Sequence, residues 1–239
     1  MYLQARKYVP ENVPLVNFFG YTLGGFYLAR YSNSPAGSFD ELVALAGLAW
    51  NFPTSCAWAA RVYVNNVSAR NHGVSAVGLP SRLASFRAVP KPSTSRPSPN
   101  NWWSSNGSDG KLKDPTSSHC IEIRNKERGR KGLKDPICTI EVPEDYNHHQ
   151  WGPKIQMHLP SYSGATDTCP DLLKYSLRMF TKVRFISPLK IHIPNANGDN
   201  PSSSSSLEAL GTVLGGKPLV CMSFDNMNIH VDKPETLHI

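Results

Sequence analysis

Three residues of this chain have side chains that suit acid–base chemistry. Ser81 and Arg82 directly follow a Gly-Leu-Pro turn, and Glu41 lies 40 residues before Ser81. A buried carboxylic acid with a raised pKa can donate a proton, and an arginine can stabilise the oxygen of a carbonyl or an opening epoxide. A serine nucleophile needs a histidine base within reach, and the sequence offers no nucleophile elbow around Ser81. Glu41 and Arg82 are therefore the candidate catalytic residues.

The same residues have a structural interpretation, which the sequence leaves open. Glu41 can be a pocket carboxylate that Arg82 or Arg61 holds as a buried ion pair, without contacting any ligand. Arg82 can bind a carboxylate, hydroxyl or epoxide oxygen, or it can only pair with Glu41. We take Glu41, Ser81, Arg82 and Arg61 as the candidate ligand-binding residues, and we predict neither a metal nor a cofactor.

The elements that position these residues are mostly strands. Residues 39–50 (FDELVALAGLAW) are apolar on both faces, which indicates a strand covered on both sides. Residues 56–65 predict a second strand. A short helical turn then begins at Asn65 and Asn66, and we expect it to end at Gly73, just before the Gly-Leu-Pro turn.

Later segments predict further strands and hairpins. Residues 120–124 and 138–142 form a predicted hairpin with a basic tip. Residues 154–159 form a predicted strand, and the Pro, Ser and Gly residues at 160–164 predict a turn after it.

Residues 172–186 alternate in the way that is typical of a half-buried antiparallel strand. One face holds the apolar side chains of Leu173, Tyr175, Leu177, Met179, Val183 and Phe185. Many strands with few short helices, and without strand–helix alternation, predict a mainly β fold, either an antiparallel barrel or a sandwich. We see neither an internal repeat nor a second domain, so residues 1–239 are predicted to form a single domain.

The positive charge is concentrated in one segment. The formal net charge is +7, and residues 85–135 hold 11 Lys and Arg against 5 Asp and Glu. We expect a flexible basic insertion at about 87–134 and a serine-rich loop at 195–206, because such compositions bury little apolar surface. A solvated loop is favoured over an RNA or anionic-lipid patch, so a nucleic-acid partner is not expected. We expect Trp102 and Trp103 to anchor this loop on the body.

Histidines and cysteines predict neither a metal site nor a disulfide framework. His148 and His149 fall in a predicted loop, and neither they nor His158 have a carboxylate placed with them. The five cysteines are odd in number and widely spaced, which favours a reducing compartment. A membrane span needs about 18 or more consecutive apolar residues, and the sequence has no such run.

The motifs resemble those of the acetoacetate decarboxylase superfamily. Residues 78–84 (GLPSRLA) resemble its Gly-aromatic-Pro-Lys-Lys-Leu-Gly/Ala turn, and residues 34–41 (SPAGSFDE) resemble its Gly-x-Tyr/Phe-x-Glu strand. Residues 155–164 (IQMHLPSYSG) resemble its strand that ends in a proline-aromatic-Gly turn. The resemblance implies an antiparallel acetoacetate decarboxylase-like β-barrel or cone with a few short helices. It also implies that Glu41 is the family's pocket glutamate.

The catalytic lysine of that family is missing here. Ser81 stands where the resemblance puts the Schiff-base lysine, and Arg82 stands in place of the second lysine. A lysine amine can condense with a carbonyl and then act as an electron sink, which a serine hydroxyl cannot do. The resemblance therefore implies a protein that is not a decarboxylase. Lys174 is a poor replacement, because it shares a predicted strand face with three other cations, as on a solvated surface.

Two further segments are similar to one plant branch of the superfamily, which takes part in xanthophyll formation: residues 20–26 (GYTLGGF) and 53–62 (PTSCAWAARV). This similarity implies a role in forming neoxanthin from violaxanthin. The first hypothesis is an accessory or lipophilic-ligand-binding protein, whose partner is an apolar isoprenoid or carotenoid ligand or a xanthophyll-pathway enzyme. The alternative is an acid/base isomerase that acts on an epoxy-carotenoid or carbonyl substrate through Glu41 and Arg82.

Members of the superfamily carry further residues upstream, including a first strand, whereas this chain begins inside the predicted first helix. We therefore expect a shortened N-terminus with an unpaired sheet edge, which would favour a homo-oligomer. The first 20 residues have neither the pattern of a secretory signal nor the serine-rich composition of a plastid transit peptide. No targeting peptide is readable, and the expected compartment is the plastid or the cytoplasm.

Overall fold

The structure is a computed structural model of the 239-residue chain, and it describes residues 2–90, 119–126, 136–142, 151–193, 211 and 218–237. Within these residues the fold is mainly β with few helices, as the sequence predicts. The elements in chain order are α1 (Tyr2–Arg6), β1 (Gly25–Tyr31), β2 (Phe39–Asn51), β3 (Thr54–Val64), α2 (Val67–Val77), β4 (Ser81–Pro90), β5 (His119–Asn125), β6 (Cys138–Glu141), β7 (Lys154–Thr166), β8 (Cys169–Phe185), β9 (Lys190–His192), β10 (Met222–Val231) and β11 (Glu235–Leu237).

β3 lies at the centre of one mixed sheet. β2 pairs with β3 antiparallel along one edge, whereas β7 and β4 pair with it parallel along the other edge. The predicted antiparallel barrel is therefore wrong. In the described residues the sheet runs from β10 through β8, β7, β3, β4, β5 and β6 to β9, and it does not close. β4 runs parallel to β3, because the helix that joins the two strands turns the chain back before β4 begins.

α2 provides this crossover, and local residues set its ends. The side-chain oxygen of Asn66 accepts hydrogen bonds from two backbone N–H groups of the first turn, which caps the N-terminus. Gly78 ends the helix with φ at 65°, a left-handed conformation that glycine adopts readily. The predicted end at Gly73 is wrong. Gly73 lies inside the helix at a point of close approach, where a Cβ would be 2.7 Å from Ser81 Oγ.

β7 extends further than the sequence predicts. The turn expected at residues 160–164 belongs to the strand, which continues to Thr166 and pairs antiparallel with β8. Gly164 has φ at 85°, and a Cβ there would lie 1.9 Å from the carbonyl oxygen of Asp171. The glycine therefore serves the close contact of two strands rather than a reversal. The chain reverses at residues 167–168 instead.

β8 follows the predicted alternation over its first half only. Leu173, Tyr175 and Met179 are buried as predicted, whereas Phe185 is exposed and Arg184 is buried. The guanidinium carbon of Arg184 lies 4.2 Å from the ring centre of Trp151, and this cation–π contact covers the buried cation. The inward position predicted for Phe185 is therefore wrong.

The two ends of the predicted basic insertion are strands. β4 continues to Pro90 and pairs antiparallel with β5, and β5 forms the predicted hairpin with β6. Several predicted features lie outside the described residues: the interior of the insertion with Trp102 and Trp103, the basic hairpin tip, and the serine-rich loop at 195–206.

Two buried apolar clusters hold the sheet together. One packs Trp58 and Tyr162 beneath α1 and the segment after it, and the other packs Leu42, Tyr63 and Ile123. No helix among the described ranges has the length and apolar character needed to cross a membrane.

Candidate functional site

The register of β2, β3 and β4 decides which candidate residues can meet. Glu41 of β2 lies opposite Val64 of β3, which in turn lies opposite Leu83 of β4. Tyr63, one position earlier on β3, lies opposite Arg82. Because neighbouring residues of a strand point to opposite faces, Glu41 and Arg82 lie on opposite faces of the sheet.

An ion pair of Glu41 with Arg82 or Arg61, one of the alternatives that the sequence leaves open, does not fit this register. Arg61 lies opposite Ala44, which puts it on the face of Arg82 and away from Glu41. Ser81, one position before Arg82, shares the face of Glu41. Strand spacing separates the Cα atoms of Glu41 and Ser81 by ~12 Å, which is too far for direct contact.

A chain of hydroxyl groups leads from Glu41 to another strand. Tyr31 Oη donates to Glu41 Oε2 at 3.0 Å, and it lies 3.0 Å from Tyr27 Oη. Tyr27 Oη also lies 3.6 Å from Met227 Sδ, to which it can donate. These side chains thus connect β2 with β1 and β10, and the partner of Glu41 is a tyrosine.

Glu41 is poised between its two protonation states. Burial raises its pKa from 4.5 to about 7, and the hydrogen bond from Tyr31 offsets only part of this rise. Burial, followed by the charge of Glu41, raises the pKa of Tyr31. Tyr31 therefore keeps its proton, and Glu41 is a mixture of acid and carboxylate near neutral pH beside a constant hydroxyl donor.

A second polar group belongs to the same interior. Burial raises the pKa of Tyr175 to about 12; the hydrogen bond with Ser163 opposes this rise, and the charge of Glu41 adds to it. Ser163 is buried, and its hydroxyl donates to the carbonyl oxygen of Val77 in α2. Tyr175 and Ser163 thus connect the surroundings of Glu41 with the helix that covers Ser81.

Ser81 is buried beneath α2. The turn that carries it is fixed by backbone hydrogen bonds: Leu79 N–H donates to Gly73 O at 2.8 Å, and Gly164 N–H donates to Gly78 O at 3.0 Å. Ser81 occupies the position that the superfamily resemblance assigns to the Schiff-base lysine. In this protein the side chain at that position packs against the helix at Gly73.

A large groove opens between β1 and β10, with a volume of about 1940 Å³. Tyr27, Tyr31 and Met227 form part of its wall, and among the residues described no lysine lines it. Typical small-molecule sites measure about 300–1000 Å³, so this groove suits a larger ligand. The rest of its lining is largely apolar and includes Phe26, Leu28, Phe86, Ile121, Leu189, Ile191, Leu219, Val220, Met222 and Phe224.

Sequence reasoning missed the tyrosines and the methionine of this site. Tyr27 and Tyr31 lie opposite Val43 and Phe39, on the face of Glu41. Two tyrosines four residues apart on a strand must share a face, and this is the signal that the sequence offers. Met227 is 200 residues away from Tyr27 along the chain and has no local signal.

The other two basic residues considered, Arg61 and Lys174, lie elsewhere. Arg61 lines a smaller pocket of about 360 Å³ beside the Gly-Leu-Pro turn. Lys174 is partly buried, and its Nζ donates to Asn51 Oδ1 at 3.3 Å, so the solvated position predicted for it is wrong. Its neighbour Tyr175 is turned to the Glu41 interior, so Lys174 points to the opposite face.

The histidines considered as metal ligands are not brought together in the described structure. His158 is exposed on β7, with Nε2 3.1 Å from Gln156 Nε2, and His148 and His149 lie outside the described residues. Within the described ranges, His, Cys, Asp and Glu side chains form no group of three or more that could hold a metal ion.

The fold is shared with a known enzyme. The crystal structure of acetoacetate decarboxylase from Legionella pneumophila subsp. pneumophila matches with a TM-score of 0.61 at 11% sequence identity, covering 100% of this chain and 81% of that chain. The fold is thus acetoacetate decarboxylase-like.

Sequence similarity identifies the family. Protein NEOXANTHIN-DEFICIENT 1 of Oryza sativa subsp. japonica is 41% identical over 97% of this chain and 82% of its own length. The proteins of the same name from Arabidopsis thaliana and Solanum lycopersicum are 39% and 38% identical over 98% of this chain, and over 87% and 85% of their own lengths. The chain belongs to the NEOXANTHIN-DEFICIENT 1 family. No family model matches the sequence.

We expect Glu41→Gln to remove a pH dependence of stability. The folded state binds the Glu41 proton more tightly than the unfolded state does, so the stability from this group is complete below about pH 4.5 and is lost as the pH rises through about 7. Wild type should lose up to about 3 kcal/mol of unfolding free energy in this window through Glu41. Urea unfolding across the window measures it, with exposed Glu235→Gln as the control. Parallel profiles for wild type and Glu41→Gln would contradict the assignment.

Gly73→Ala should destabilise the protein only while Ser81 is present. The new Cβ would lie 2.7 Å from Ser81 Oγ but 3.5 Å from Ser81 Cβ, which is ordinary contact. In the Ser81→Ala background the same change should stabilise the helix by about 1 kcal/mol, because alanine is the better helix former. A double-mutant cycle by urea unfolding measures the coupling, and additive effects would show that the two side chains are not in contact.

Proposed function

We propose that this protein takes part in neoxanthin formation by binding a ligand with a long apolar body, and that it does not decarboxylate a keto acid. The shared name of its relatives, NEOXANTHIN-DEFICIENT 1, supports the pathway. The observation that carries the binding role is the groove of about 1940 Å³ between β1 and β10. An apolar isoprenoid such as a carotenoid is the ligand class that we propose.

The chemistry of the groove wall fits such a ligand. Burial of hydrocarbon contributes about 0.8 kcal/mol for each CH₂ group, so a long polyene gains affinity without many polar contacts. Polar groups are nevertheless present at one part of the wall, where the hydroxyls of Tyr27 and Tyr31 lie 3.0 Å apart and Tyr31 donates to Glu41. A ligand with an apolar body and an oxygen-bearing end group would use both parts of the groove.

Among the residues that the structure describes, no lysine amine lines the groove for Schiff-base chemistry. Ser81 replaces the lysine and is buried under α2. Among the described lining residues the cations are Arg30 and Arg87, and an arginine stays protonated at physiological pH and does not condense with a carbonyl. This supports a role other than decarboxylation.

Binding of violaxanthin to the recombinant protein should shift the absorbance spectrum of the polyene. Gly25→Trp should weaken it by at least about tenfold, because Gly25 lines the groove and a Cβ there meets no atom within 4 Å, which leaves room for a bulky ring. Val67→Trp is the matched control, since Val67 is exposed on α2 and does not line the groove. A folded wild-type protein without any shift would rule out the binding role.

A second candidate function is acid-catalysed isomerisation of an epoxide or carbonyl substrate, and the environment of Glu41 favours it. Glu41 does not itself line the groove, so its proton could reach an epoxide oxygen through the hydroxyl of Tyr31 while the C–O bond breaks, and loss of a proton from a neighbouring carbon would complete an isomerisation that needs no oxidant. Tyr31, rather than Arg82, would assist, because Arg82 lies on the opposite face.

The isomerase candidate is tested by incubating violaxanthin with wild type, Glu41→Gln and Tyr31→Phe and separating the products by chromatography. Wild type should exceed the background, Glu41→Gln should fall to it, and Tyr31→Phe should lose at least about tenfold in rate. The rate of wild type should change with an inflection near pH 7, which follows the pKa of Glu41. Wild type at background would end this candidate and leave the binding role standing.

A further inference from the structure

Exposed apolar side chains crowd the mouth of the groove. Phe18 and Phe19 are 72% and 87% exposed, and Phe18 lines the groove. Clusters of exposed apolar surface mark contact sites for other molecules. We call this cluster the apolar rim, and it consists of Phe18, Phe19, Tyr21 and Leu23 before β1 and of Leu219 and Val220 before β10.

The tip of the rim is a tight turn whose backbone groups already have partners. Phe18 N–H donates to Tyr21 O at 2.8 Å, and Tyr21 N–H donates to Phe18 O at 3.0 Å. Gly20 N–H donates to Asn17 Oδ1 at 2.9 Å, and Gly20 O accepts from Tyr2 N–H at 2.9 Å. Lipid offers no hydrogen bonds, so a loop enters it readily only when its backbone is satisfied internally. This turn meets that condition at Phe18, Gly20 and Tyr21.

The turn also holds an aromatic residue in a strained conformation. Phe19 has φ at 49° and Gly20 has φ at 81°. Positive φ is unfavourable for a bulky residue, and asparagine or aspartate is preferred at the first of two such positions in a hairpin turn. The rings of Phe18 and Phe19 pack edge to face with their centroids 4.6 Å apart. The strained turn thus exposes two aromatic side chains next to each other.

We propose that the apolar rim inserts into the surface of a lipid bilayer, from which the groove takes its ligand. The proposal rests on the binding function above, because a ligand with a long apolar body partitions into bilayers rather than water. Self-association through the rim would close the groove that the ligand must enter, so a bilayer is the occupant that agrees with the binding role.

The test is flotation of the protein with vesicles of phosphatidylcholine, with and without phosphatidylglycerol. The rim variant carries Phe18→Ser and Phe19→Asn, and the second change also relieves the strain at positive φ, so this protein should fold. Its partition onto vesicles should fall by at least about tenfold, given the apolar surface removed. The control is Phe52→Ser, which removes a phenylalanine that is 85% exposed and outside the groove lining, and it should partition like wild type.

Three results would overturn the proposal. The first is that wild type stays unbound with both kinds of vesicle. The second is that Phe52→Ser loses as much binding as the rim variant. The third is that the rim changes dissociate a dimer in size-exclusion chromatography while vesicle binding stays intact. Violaxanthin delivered in cyclodextrin separates this proposal from the binding function. The single variant Phe19→Asn, whose residue does not line the groove, should bind it like wild type, and a failure of both proteins to bind would contradict the binding function alone.

Discussion

β3 has hydrogen-bonded neighbours along both edges, with β2 on one side and β7 and then β4 on the other. A parallel neighbour can only be reached by a crossover, and α2 makes the return from β3 to β4 within a few turns. The helix lies so close to β4 that a Cβ at position 73 would be 2.7 Å from Ser81 Oγ, and the left-handed Gly78 then directs the chain into the strand. This close crossover fixes the register of β4, and the register decides that Glu41 and Ser81 share a face from which Arg82 is excluded.

The two faces of the sheet consequently have different chemistry. On the face of Glu41, buried hydroxyl groups connect the strands around the carboxyl group, and α2 covers the position that the superfamily resemblance gives to the Schiff-base lysine. This polar interior continues through Tyr31 and Tyr27 into the wall of the groove. The protein thus combines a buried carboxyl group with a wide apolar groove.

Local patterns in the sequence are sufficient to predict much of the fold. The apolar run of β2, the alternation in β3 and in the first half of β8, and the hairpin of β5 and β6 depend on short-range periodicity, which survives in the structure. The same reasoning misplaced Gly73 and Gly164, because a glycine that permits close packing looks like one that ends an element. The parallel pairing of β4 and the hydrogen-bond partner of Glu41 could not be predicted from the sequence, because both depend on the register between distant strands. The missing lysine, in contrast, is visible directly at Ser81.

The groove also has a mechanical property. In the described residues, the walls formed by β1 and β10 pair with other strands rather than with each other, and the phenol of Tyr27 contacts the thioether of Met227 across the gap. Sulfur is a weak hydrogen-bond acceptor, so separating these two groups costs far less than breaking a ladder of backbone hydrogen bonds. The contact of Tyr27 with Met227 therefore resists separation of β1 from β10 less than backbone hydrogen bonds resist separation of paired strands. The groove can therefore widen for a rigid, rod-shaped ligand while every strand stays paired.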